Sequence, residues 1–217
     1  MAYTNSKLVS YTRLSPNYSA RTKPITKITI HHAAVVNASL AGFGNGFAQP
    51  SRQASSNYAI DSNGKVGMYV EEKNRAWTSS NAENDQMAVT IEVANSKGEP
   101  NWEVSNAAYS TLLDLCEDIC RRNGIKQLNF TGDKTGNLTM HKYFAATGCP
   151  GPYLESKFKD IANEVNKRLN GTQSTEGRVV YRVQTGAFSD PKNAENQKKK
   201  LQELGFKNAF VTKAIIK

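Results

Sequence analysis

Two short segments, KITIHH at residues 27–32 and AVTIEVA at residues 88–94, alternate apolar and polar side chains and yet carry ionisable groups inside the alternation. A period of two is that of a β-strand, whose successive side chains point to opposite faces. In the first segment Ile28, Ile30 and His32 share one face, and Thr29 and His31 the other. In the second, Val89, Ile91 and Val93 share one face, while Thr90, Glu92 and Ala94 take the opposite one. The apolar faces need cover, and the chain supplies helices to give it. Ser105 is a suitable N-cap for a helix to about Arg122, with Ala108, Leu112, Leu115, Cys116 and Ile119 on one stripe and Gly124 as terminator. A second helix is predicted from about Tyr153 to Leu169, after the turn GCPGP at 148–152. YAID at 58–61 and KVGMYV at 65–70 flank an Asn63-Gly64 hairpin turn. Strands interleaved with helices predict an α/β fold with a mixed central sheet flanked by helices.

The pattern stops at NGTQSTEG, residues 170–177, which is small, polar and aperiodic. The chain therefore divides into a domain at 1–170, a linker at 171–177 and a module at 178–217. The net charge of +9 is uneven: nine basic against three acidic residues in 178–217, nineteen against sixteen before them. A basic excess attracts polyanions of several kinds, including nucleic acid, anionic lipid and anionic cell-wall polymers. No helix-turn-helix, finger or RNP pattern accompanies it, so a nucleic-acid partner is not expected. No apolar window has the length of a membrane span, and the N-terminus has no apolar leader segment, which predicts synthesis in the cytoplasm without a signal peptide and no membrane insertion. Of three cysteines, Cys116 and Cys120 lie four apart in a helical pattern, as small packing groups do.

Cys149 has different neighbours. The chain contains three histidines, at 31, 32 and 141, and His141 and Cys149 share the turn-rich segment MHKYFAATGCPGP. With the Ile face of residues 27–32 packed on helices, His31 faces an open cleft. Two imidazoles and a thiolate are ligand types that zinc prefers, and three protein ligands leave the fourth tetrahedral position open, as in a catalytic site. Spacing alone is equally compatible with a surface His141 and a buried Cys149 thiol. Glu92, a carboxylate inside an apolar strand, is costly to bury without a partner or a task.

The segments ITIHHAAV, SSNYAIDSNGKV, AVTIEVAN and MHKYFAATGCPGPYL, in this order, resemble the zinc N-acetylmuramoyl-L-alanine amidases of the phage-lysozyme and peptidoglycan-recognition-protein superfamily, over roughly residues 20–170. The resemblance implies a type 2 amidase-like fold, Zn2+ held by His31, His141 and Cys149, and Glu92 as general base. It implies hydrolysis of the amide between N-acetylmuramic acid and L-alanine in bacterial peptidoglycan, by a phage endolysin or related bacteriolytic autolysin acting on the cell wall. Thr147 stands where many phage amidases place a Lys, and as in catalytic recognition proteins it implies a neutral donor to the developing oxyanion. His32 is expected to be a core or supporting residue, and Asn57 and Trp77 to contact substrate. The alternative is a peptidoglycan-binding protein without catalysis, a branch that lacks the Cys ligand found here.

Residues 178–217 read as strand, helix, strand, with Asp190-Pro191 opening the helix and Gly205 closing it. YRVQTGAFSDPKNAENQKKKLQELGF resembles one half of the glycan-binding SPOR module, and strand alternation that turns Tyr181 and Val183 toward the helices would leave Arg182 and Gln184 free to contact glycan. Forty residues make a small core, so a homodimer through 178–217 that completes the sheet is expected.

Overall fold

The structure, a computed structural model, describes residues 3–171, 185–206 and 209–211. The chain forms two compact units, residues 1–175 and 176–217.

The first unit is built on a six-stranded mixed sheet of β1 (Val9–Thr12), β3 (Lys27–Val36), β4 (Tyr58–Ile60), β5 (Val66–Met68), β7 (Ala88–Asn95) and β8 (Leu138–Met140), in the order β1-β5-β4-β7-β3-β8. The four neighbours β4, β7, β3 and β8 run parallel pair by pair, and β4 and β5 form the antiparallel hairpin expected around Gly64, whose φ is +78°. Two further strands, β2 (Tyr18–Ala20) and β6 (Asn74–Ala76), pair antiparallel in a separate ribbon. β3 runs four residues beyond the predicted segment, and its register with β7 shifts between His32 and Val36.

One face of the sheet is covered by α3 (Asn106–Asn123) and α4 (Gly151–Leu169). The Ser105 hydroxyl accepts from the Ala108 N–H and Gly124 closes α3 at φ +69°, as the sequence predicts. Leu112, Leu115, Cys116 and Ile119 of α3 and Leu154, Phe158, Ile161 and Val165 of α4 meet Ile28, Ile30, Val89, Ile91 and Val93 in a single core. Each of these side chains is fully buried, and burial of such groups stabilises by roughly 1.5–3 kcal/mol apiece. The other face carries α1 (Leu40–Phe47), where Phe47 packs with Ala59 and Tyr69, and α2 (Ala82–Met87), whose Asn84 donates to Thr29 Oγ1 at 2.9 Å. Parity therefore divides the histidines as the alternation predicts: His32 lies on the α4 side and His31 on the opposite side.

In the second unit, α5 (Pro191–Glu203) starts at Asp190, whose carboxylate accepts from the Lys192 N–H at 2.8 Å. The strand predicted before it, with Tyr181, Arg182, Val183 and Gln184, lies outside the described residues, as do residues 172–177 of the linker. No helix among the described residues is long and apolar enough to cross a membrane.

Candidate metal centre and active-site cleft

Parallel strands end together, and side chains at their carboxyl ends converge on the crevice beyond the sheet. Ile30 of β3 is in register with Met140, the last residue of β8, so His31 and His141, which opens the turn just past β8, become neighbours. Their rings are 4.8 Å apart between centroids. On the other side of β3, His31 is in register with Glu92 of β7. Cys149 arrives from the turn that follows β8: Lys142 N–H donates to its carbonyl at 3.1 Å, and its own N–H donates to Thr147 Oγ1 at 3.2 Å. That pinning brings Cys149 Sγ within 3.6 Å of His31 Nδ1. One candidate ligand atom from each of His31, His141 and Cys149 lies within 4.8 Å of the others.

The polar atoms here are buried and poorly paired. Nε2 of His31, Nε2 of His141 and Oε2 of Glu92 are all shut from solvent with no hydrogen-bond partner. Orphaned groups of this kind are costly and rare, and a cluster of them needs an explanation. Burial, reinforced by the nearby imidazoles of His141 and His32, holds His31 well below the usual imidazole pKa. Burial also lowers His141, with Asp85 pulling weakly the other way. Burial pushes the Cys149 thiol up, and the Glu92 charge adds to that, while the His32 backbone N–H opposes it. The Glu92 carboxyl is pushed up to about 8 by burial, against the pull of Arg52. The neutral His pair is already in the form that binds a cation, whereas the protonated thiol and the protonated acid would each give up a proton to one.

Glu92, His141 and Cys149 open into a cleft of about 1250 Å³, while His31, expected to face it, is buried behind them. His32, Arg52, Glu92, Trp102, His141, Thr147 and Cys149 line it, together with residues 33–39. Thr147 is exposed on the rim. Asn57 does not reach the cleft. It is fully buried, its Nδ2 donates to the Val70 carbonyl at 3.1 Å and its Oδ1 accepts from the Thr90 N–H at 3.1 Å, so its amide ties β7 to the end of β5 instead of meeting substrate. Trp77 is also elsewhere: its indole N–H donates to Ser19 Oγ at 2.8 Å beside the β2–β6 ribbon. Arg182 and Gln184 lie outside the described residues.

Sequence reasoning missed Arg52 and Trp102. Arg52 sits in an aperiodic stretch after α1, its guanidinium 5.9 Å from the Phe47 ring centroid. Trp102 belongs to the loop that leaves the carboxyl end of β7, and an aromatic just past the strand that carries Glu92 was the available signal.

The crevice at the ends of the parallel strands brings two imidazoles, a thiol and an acid together, a donor set compatible with a metal ion. The chain belongs to the N-acetylmuramoyl-L-alanine amidase family (Amidase_2), whose sequence profile matches residues 21–152. A SPOR domain profile matches residues 159–216. Among solved structures, the selenomethionine derivative of AmpD is similar, at 17% identity and a TM-score of 0.55, covering 75% of this chain and 99% of that one. A mutant endolysin from Bacillus subtilis is 16% identical with a TM-score of 0.56, covering 71% and 97%. The PlyG catalytic domain is 15% identical with a TM-score of 0.56, covering 77% and 97%. At these identities the likeness speaks for the fold. No curated protein sequence matched.

Proposed function

We propose that this chain is a zinc-dependent hydrolase that cuts the amide between N-acetylmuramic acid and L-alanine of the stem peptide, acting on the bacterial cell wall as a phage endolysin or related autolysin. The observation that carries the reading is the cluster of His31, His141 and Cys149, which offer one candidate ligand atom each within 4.8 Å of one another. The donor set fits zinc, because it is soft, three-membered and able to leave one position open. When bound, the ion polarises an amide carbonyl and lowers the pKa of water toward about 7.

The chain's own residues do the rest. In this reading Glu92 takes the proton of the attacking water and returns it to the leaving amine. To take that proton Glu92 must first be ionised, and a dication beside it would draw off the proton that burial otherwise retains. Thr147, on the rim two residues from Cys149, supplies a neutral hydroxyl to the developing oxyanion. Residues 178–217 hold the wall, with Arg182 and Gln184 on glycan, and pair with a second copy of themselves.

Digestion of purified peptidoglycan with mass spectrometry of the products tests the reaction. Free stem peptides beginning with L-alanine beside intact glycan are expected, and cleaved glycan or cleaved cross-links would rule the reaction out. Elemental analysis should find about one zinc per chain. Cys149→Ala should lose both metal and activity, and full activity in that variant would defeat the ligand assignment.

A further inference from the structure

We infer that Trp102 is the platform on which a sugar ring of the substrate lies, so that the glycan runs along the flank made by the loop after β7 and the first turn of α4. This rests on the amidase reading for the identity of the sugar.

Trp102 is half-exposed and lines the same cleft as the His/His/Cys cluster. Its position is built. Its φ is +53°, in the left-handed region that a bulky side chain rarely adopts. The loop holds it there from both sides of the residue: Trp102 N–H donates to the Gly98 carbonyl at 3.0 Å, and the buried Asn95 at the end of β7 donates to the Trp102 carbonyl at 2.6 Å. One residue earlier, the Asn101 carbonyl accepts from the Tyr153 N–H of α4 at 3.1 Å. The indole meets the ring of His32 edge-on, 5.6 Å between centroids, and His32 is adjacent in sequence to His31 of the cluster. Gly151 completes the contact: a Cβ there would stand 2.9 Å from His32 Cε1 and 3.2 Å from Trp102 Cβ, so the backbone approaches as closely as it does because that residue is glycine.

The result is a rigid aromatic surface fixed to one wall beside the cluster. A pyranose presents an apolar C–H face that an indole covers well, while its hydroxyls stay at the wet rim. The other tryptophan cannot take this role, because its indole N–H is engaged with Ser19 away from the cleft.

Two substrates separate this inference from the reaction itself. An N-acetylmuramoyl-peptide and a D-lactoyl-peptide carry the same scissile amide, but only the first has the sugar. Trp102→Ala should raise KM for the muramoyl-peptide about tenfold or more, with kcat little changed. It should leave the D-lactoyl-peptide within about twofold, and Trp102→Phe should restore most of the loss. Equal losses on both substrates, or no loss on either, would overturn the platform. A binding readout does not depend on turnover. The chain has two tryptophans, so in a Trp77→Phe background the emission is that of Trp102. A GlcNAc–MurNAc disaccharide should shift that emission saturably, and absence of any shift overturns the inference. A chain that shifts on disaccharide but cuts neither substrate keeps the platform and loses the amidase reading.

Discussion

At neutral pH the imidazoles of His31 and His141 are uncharged, because burial lowers both, while the Cys149 thiol keeps its proton, because burial raises it. Zinc takes neutral imidazole and thiolate. Zinc uptake at pH 7 would therefore displace a proton from Cys149 and none from the histidines. Glu92, raised to about 8, is mostly protonated at pH 7, and a dication beside it would draw that proton off as well. Calorimetry in buffers of different ionisation enthalpy should accordingly count between about one and about two protons released per zinc. Affinity should rise with pH, by about tenfold or more per unit near neutrality. In Glu92→Gln the count should fall to about one; an unchanged count would mean that Glu92 does not feel the ion. The same variant keeps the shape of the side chain but cannot move a proton, so turnover on cell walls should drop by roughly 10²–10⁴ with zinc content intact. Normal turnover in Glu92→Gln would remove it as general base.

Among the elements, β7 does two jobs through its two faces, and Asn57 shows how they are separated. Val89, Ile91 and Val93 are fully buried in the core. Thr90, on the face of Glu92, gives its N–H to Asn57 Oδ1, and its hydroxyl lies 2.9 Å from that of Thr78. Replacing Asn57 by Ala leaves the Thr90 N–H and the Val70 carbonyl without their partners, in a place water does not reach. Stability should fall by about 1–3 kcal/mol, read as a lowered denaturant midpoint, with KM unchanged below the melting range. A raised KM at full stability would return Asn57 to the substrate. The sequence misled at this residue because a polar side chain in a strand reads the same whether it faces a cleft or bonds to a neighbouring backbone. By contrast, His31, Glu92, α3 and the hairpin at Gly64 were legible, since alternation, capping and turn chemistry are local signals. The short strands β1, β2, β6 and β8 were not. With three or four residues each, they carry too little alternation to register and are set by pairing, β8 on β3, β1 on β5 and β2 with β6. Trp102 was hidden for a similar reason: its placement depends on bonds to Gly98 and Asn95 that no pattern in the loop announces.

At the scale of the whole molecule, the SPOR match begins at residue 159, inside α4. Ile161, Ala162 and Val165 of that helix are buried in the core of the first unit. That stretch of the match is therefore already committed to the amidase domain, and the second unit, residues 176–217, retains the remainder. Within its described residues α5 buries none of its side chains, and Phe188, Leu204, Phe206 and Phe210 are 46%, 75%, 63% and 66% exposed. Apolar surface of this kind in so small a unit is a liability unless something covers it. A second copy is the simplest cover, because a two-fold axis matches one such unit with another and closes the contact. Light scattering at micromolar concentration should then report a dimer for the full chain, and a chain ending at Asn170 should be a monomer. The shortened chain retains the whole cluster of His31, Glu92, His141 and Cys149, so it should cut soluble muramoyl-peptides at the full rate while sedimenting poorly with intact walls. A monomeric full chain defeats the dimer, and unchanged sedimentation after truncation defeats the wall-binding role of residues 178–217.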